Sequence, residues 1–223
     1  MPSERFNRLK PKKRTAIRDA ILKQLREVPL EKFSAKKLTQ ELELSSGCFY
    51  SYFSGIDDML SFAIEDYIRY EAAEFDVVIE KLKAKDYAEL ADLIRNVTEY
   101  AYKNGYLKVM RNLSYGLKLT MSSSFEVLSR DSGEIYAAFE PIVMNKINKE
   151  SLNSEKEEYF KKLLKDVISM GVMVYRCAMA EIYCDYDKRE EVITEFKRKI
   201  RILINGLTVM ADSYNYGEKR SIT

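Results

Sequence analysis

Apolar residues recur along this chain at the three- and four-residue intervals of helices. Ile17, Ala20, Ile21, Leu25 and Val28 fall on one face of a helix over 13–28, which Pro29 closes. Residues 33–60 then read as two short helices joined by a tight turn, with a third starting directly behind. Ser34 is placed to cap the first, and Leu38 and Leu42, four apart, supply its buried face. Glu43, Leu44 and Ser45 make the turn, and Ser45 or Ser46 can cap the second helix. That helix starts on small side chains, Ser46, Gly47 and Cys48, and ends on Phe49, Tyr50, Tyr52 and Phe53. Phe49 and Phe53 are expected to point inward. Asp57 and Asp58 complement the positive end of the third helix.

The pattern continues as one long helix over 57–83, carrying Leu60, Ala63, Ile64, Tyr67, Ile68 and Phe75. A helix over 86–103 follows, ended by Asn104 and Gly105, then a shorter one over 106–119. Thr120 to Ser124 read as a loop, and 125–149 as a helix kinked at Pro141. The last two helices, 155–183 and 188–214, have the most regular stripes, with Asp185, Tyr186 and Asp187 turning the chain between them. The fold expected is all-α: an N-terminal three-helix domain over 1–55 and a larger helical body over 56–223.

Composition agrees with long helices and a packed core. Hydrophobic residues make up 46% of the 223, and only 8 Gly and 4 Pro punctuate them. The net charge of +2 is unevenly spread, because residues 1–55 hold 12 Lys and Arg against 6 Asp and Glu. A basic head on a near-neutral body fits either a polyanion partner or a lysine-rich solvated surface. Residues 1–12, polar and interrupted by Pro2 and Pro11, read as a flexible arm. Its Lys10, with Lys12, Lys13 and Arg14, either touches phosphates or only solubilises the chain.

The residues from Ala16 through Phe33, Leu38, Leu42, Leu44, Ser45, Gly47, Phe49, Tyr50, Tyr52, Phe53 and Leu60 resemble the DNA-binding domain of the TetR/AcrR repressors. The resemblance covers roughly the first quarter of the chain. It implies a helix-turn-helix whose second helix enters the major groove of duplex DNA. Where the family usually carries Gly, Lys or Arg, Thr, His and Lys, this chain has Glu43, Ser46, Cys48, Ser51 and Ile56. Carried over, the DNA-contact set is Ser34, Lys36, Ser45, Ser46, Gly47, Cys48, Tyr50, Ser51 and Tyr52, with the two tyrosines donating to phosphates.

The resemblance also implies a homodimer built on the last two helices. Its candidate interface is Phe160, Val167, Gly171, Val174, Ala178, Phe196, Ile200, Leu203 and Leu207, although a purely intramolecular core would show the same stripes. Tyr67, Tyr100, Met110, Tyr115, Met121, Tyr136, Met170 and Met173 are candidates to line a pocket for an apolar or aromatic effector. The function expected is a cytoplasmic, ligand-responsive regulator, a repressor of a palindrome-like operator. The alternative is a relative that has lost operator binding and acts as a partner-binding co-regulator.

An enzyme is not expected. The chain has no His, no glycine-rich phosphate loop and no metal-type cysteine spacing, so no cofactor or metal is expected. No apolar run of membrane length or signal-peptide core is evident, and no membrane partner is anticipated. Cys48 has no charged neighbour in sequence to lower its pKa, so a small groove-facing or buried role suits it better than a redox one.

Overall fold

The computed structural model describes residues 2–45, 47–82, 88–117 and 154–217, and among these every regular element is helical. The elements are α1 (Glu4–Asn7), α2 (Pro11–Glu27), α3 (Ala35–Glu41), α4 (Cys48–Tyr52), α5 (Ile56–Ala63), α6 (Glu65–Leu82), α7 (Ala88–Lys103), α8 (Leu107–Leu117), α9 (Ser154–Cys184) and α10 (Arg189–Gly217). The loop expected at Thr120 and the Pro141 kink lie outside the described residues. The chain forms two compact units, Met1–Ala72 with Thr98–Arg130, and Ala73–Val97 with Asp131–Thr223.

In the first unit α2 is the central element. Proline occupies its first position, where a missing amide hydrogen costs nothing. Ile17, Ala20, Ile21, Leu22 and Leu25 bury its inner face, as the spacing predicts. Gln24 is buried with them and is satisfied by one residue of the next element: its Oε1 accepts from the Ser34 amide at 2.5 Å, and its Nε2 donates to the Ser34 carbonyl at 3.4 Å. At the far end of α2 the Asn112 amide donates to the Leu25 carbonyl at 2.8 Å, and Arg26 Nε to the Gly105 carbonyl at 3.0 Å. Gly105 has φ +72°, and a Cβ there would meet the Arg26 guanidinium at 3.4 Å. Glycine therefore ends α7 for its left-handed backbone, the Arg26 contact being one that a side chain could make.

Two expectations are corrected here. Residues 1–12 are not a loose arm: Ser3 caps α1, and Phe6 is 1% exposed, with its ring 5.6 Å from Tyr52, 5.1 Å from Phe53 and 4.7 Å from Phe62. The single helix expected over 57–83 is broken at Ile64, which sits at φ −105°, ψ 15°. A new helix start begins directly behind the break, with Glu65 and Asp66 in its first turn. Arg18 pairs with both, at 3.2 and 2.8 Å, while lying over the Phe62 ring at 4.8 Å. That bidentate hold ties α2 to the start of α6.

The second unit is dominated by α9 and α10, joined through a 3₁₀ turn over Tyr186–Lys188. Tyr175 packs edge-on against Phe75 at 5.4 Å and against Phe196 at 6.5 Å. Val172, Met179, Ile182, Val192, Ile193 and Ile200 bury the rest of the seam. Arg95 grips Glu190 with two nitrogens, at 3.2 and 2.9 Å, and Asp92 with a third, at 2.6 Å. The stretch Lys165–Cys184 of α9 is long and apolar enough by composition to cross a membrane, and 41% of it is buried inside the protein.

Candidate nucleic-acid interface

The segment α3–turn–α4 is built as its residues predict at one end and not at the other. Ser34 accepts from the Lys37 amide at 3.2 Å and so caps α3, while Leu38 and Thr39 turn inward. The turn carries Glu43 in the left-handed region at φ 52°, a conformation that glycine adopts without strain. The cap expected at the start of α4 is absent: Gly47 stands at that position without a side-chain bond. Ser45 Oγ lies instead 3.0 Å from Cys48 Sγ, and Ser46 is outside the described residues.

Five residues cannot hold a helix by themselves, and α4 is fixed by packing and by its far end. Phe49, Tyr52 and Phe53 are 5%, 5% and 2% exposed, so positions three and four apart form its core face. Tyr52, to which the resemblance gave a phosphate contact, has its ring buried edge-to-face against Phe6. The free carbonyls at the end of α4 find donors in Ser3, whose amide bonds to Tyr52 O at 2.9 Å and whose hydroxyl bonds to Ser51 O at 2.7 Å. The Ser51 hydroxyl is turned back onto Cys48 O at 2.8 Å.

Ser45, Gly47 and Tyr50 are exposed, as are Lys36 and Lys37 on α3, the latter paired with Glu27 at 3.4 Å. Tyr50 is 74% exposed, and a Cβ built on Gly47 would meet nothing within 4 Å. Gly47 is therefore not required by internal crowding, and its openness leaves room for a surface to come close. Ser34, Cys48 and Ser51 are half-buried. The Cys48 thiol is lowered from its ordinary pKa, chiefly by the hydrogen bond from Ser45 and, after opposition by burial, by the nearby charge of Arg5. Neither neighbour is adjacent in sequence, which is why the sequence offered no such source. The Tyr52 phenol is raised, first by burial and then by Cys48.

The effector candidates separate. Tyr67 is fully buried 5.7 Å from Tyr106, and Tyr100 stacks on Tyr70 at 3.9 Å, all in the first unit with buried Met110. Tyr106, which sequence reasoning passed over, completes this group 6.2 Å from Tyr100, its hydroxyl raised by burial and by Asp66. Met170 and Met173 belong to the second unit and are 51% and 44% exposed. Met121, Tyr136 and the Tyr115 side chain lie outside the described residues.

Of the dimer candidates, Gly171, Ala178, Phe196 and Ile200 are buried within their own unit, because α9 and α10 pack on one another through that stripe. Val167, Val174 and Leu203 are half-buried, and the side chains of Phe160 and Leu207 are outside the described residues. The exposed apolar positions of these helices are offset from the predicted stripe: Met170 and Met173 on α9, and Ile202 on α10, 56% exposed. Comparison with protein-family models, curated proteins and solved structures found no match for this chain.

Proposed function

We propose that this chain is a dimeric, ligand-responsive DNA-binding regulator, acting as a repressor, in which α3 and α4 form a helix-turn-helix on duplex DNA. The observation that carries the reading is the division of α4. Its aromatic face is buried, while an open glycine and a 74% exposed tyrosine lie outside that face. A helix locked to its core by three rings and bare outside that face suits insertion into a major groove, and the exposed phenol suits a phosphate oxygen. The resemblance to the TetR/AcrR repressors supports the same assignment.

A homodimer would use the exposed Met170, Met173 and Ile202, since Phe196 and Ile200 serve the internal seam. An effector with aromatic or apolar character suits the tyrosine group, whose half-buried Tyr70 and Tyr100 offer ring surface and hydroxyls. Its binding would act on the head through α6 and the joint at Ile64, so the response is that of two short rods and not one lever.

Selection from random duplex DNA tests this reading. Two inverted half-sites about one helical turn apart are expected. A single half-site would remove the dimer from the proposal. Recovery of no enriched sequence would sink DNA binding and favour a partner-binding co-regulator, a reading motivated by the absence of Lys and Arg from Cys48–Tyr52.

A further inference from the structure

The helix α4 carries no cation, yet affinity for duplex DNA comes largely from cations set against phosphates. The chain supplies one from elsewhere. Ser3 binds the last two carbonyls of α4 and at the same time accepts from the Phe6 amide at 3.3 Å, so one serine caps the end of α4 and the start of α1. Phe6 then seats α1 among Tyr52, Phe53 and Phe62. Between these two anchors stands Arg5, which is exposed. Arg8, on the same short helix, is paired with Glu4 at 3.2 Å, whereas no ion pair engages Arg5 among the described residues. Its charge favours the ionised forms of both Cys48 and Tyr52.

We propose that Arg5, held against α4 by the Ser3 and Phe6 anchors, is the cation that contacts a DNA phosphate on behalf of that helix. The inference rests on the DNA-binding reading above. A guanidinium suits the role because its planar donors meet a phosphate in pairs. The anchoring matters as much as the charge. An arginine on a loose arm would lose side-chain and backbone freedom on binding, and here the backbone is already fixed.

The test is the salt dependence of binding to a fluorescent duplex of mixed sequence, measured for the full-length wild type, Arg5→Gln and Arg5→Lys. Each phosphate contact contributes about 0.9 to the slope of log affinity against log salt. Arg5→Gln should therefore lower the slope by about one for each bound head and weaken binding several-fold at low salt. Arg5→Lys should restore most of the slope, which a merely structural role would not require. A wild-type slope in Arg5→Gln overturns the inference and leaves DNA binding intact, even if affinity falls. Absence of any wild-type binding at the lowest salt overturns both. Phe6→Ala, which frees α1 but keeps the charge, should cost affinity while the remaining slope stays close to wild type. Unchanged affinity in Phe6→Ala would mean that the anchor is irrelevant, and would overturn the positioning argument.

Discussion

In the unit built around α2, four polar side chains that cross between elements end on backbone groups, Gln24 on Ser34, Asn112 on Leu25, Arg26 on Gly105 and Ser3 on Ser51, beside side-chain pairs such as Arg18 with Glu65 and Asp66 and Lys23 with Glu41. In the unit built around α9 and α10, the crossing bonds seen among the described residues run from side chain to side chain, Arg95 to Glu190 and Asn96 to Glu74. Helix length explains the backbone-directed bonds at Ser34 and Ser51. Each helix leaves about four amides and four carbonyls without internal partners. In α3 and α4, with 7 and 5 residues, those orphans are most of the backbone. In α9 and α10, with 31 and 29, they are a small part. Short helices must borrow donors from their neighbours, so their placement becomes exact. Long helices need only an apolar seam.

The largest test of this contrast is Phe6→Ala. It removes a fully buried ring that joins α1 to α4 and α5, and should cost about 3 kcal/mol of unfolding free energy by urea titration. Hydrogen exchange should speed up in α4 and α5 and stay unchanged in the α9–α10 seam. Equal acceleration in both would dissolve the distinction between the units.

Next in size is Asn112→Ala, which leaves the Leu25 carbonyl buried and unpartnered at a cost of about 2 kcal/mol. A loss below about 0.5 kcal/mol would mean that the carbonyl finds water, and that the backbone fastening is dispensable.

The smallest effect should come from the pair Arg95–Glu190. Its carboxylate is largely exposed, and a double-mutant cycle should return a coupling of about 0.5 kcal/mol that fades with added salt. The Glu190 carboxyl is held below its usual pKa, chiefly by the hydrogen bond from Arg95. Its contribution is thus present above the unfolded value and lost as pH falls through the folded one. A coupling above about 2 kcal/mol would show that the second unit also depends on exact polar placement.

The same contrast governs how far the sequence could be read. Long apolar periods located α2, α7, α9 and α10 within a few residues, because burial along a helix repeats and repetition is visible. Phe6 was missed because one aromatic residue among charges and prolines has no period. The break at Ile64 was missed because no Gly or Pro marks it, and the Arg18 pair to Glu65 just behind it joins residues 47 apart in the chain. Tyr52 shows the opposite case. Its spacing from Phe49 puts it on the core face, and the family pattern drew it outward. For α9 and α10 the stripe was visible, but an internal seam and an intermolecular one have the same spacing. Only burial tells them apart, and it assigns Phe196 and Ile200 to the internal seam.

Gln24 holds a different kind of information. Its amide reads both polar groups of a single residue, accepting from the Ser34 amide and donating to the Ser34 carbonyl. This is the exchange that two residues make across one rung of a β-ladder, here made by a side chain in a protein whose described residues contain no strand. A rung fixes direction as well as distance, since turning the amide over would set oxygen against oxygen and nitrogen against nitrogen. The start of α3 is therefore indexed to α2 by polarity, like a keyed connector that fits one way round. Loss of the side-chain nitrogen by deamidation would erase the key without changing the shape of the residue, so chemical ageing at Gln24 would unseat α3 while leaving α2 itself intact.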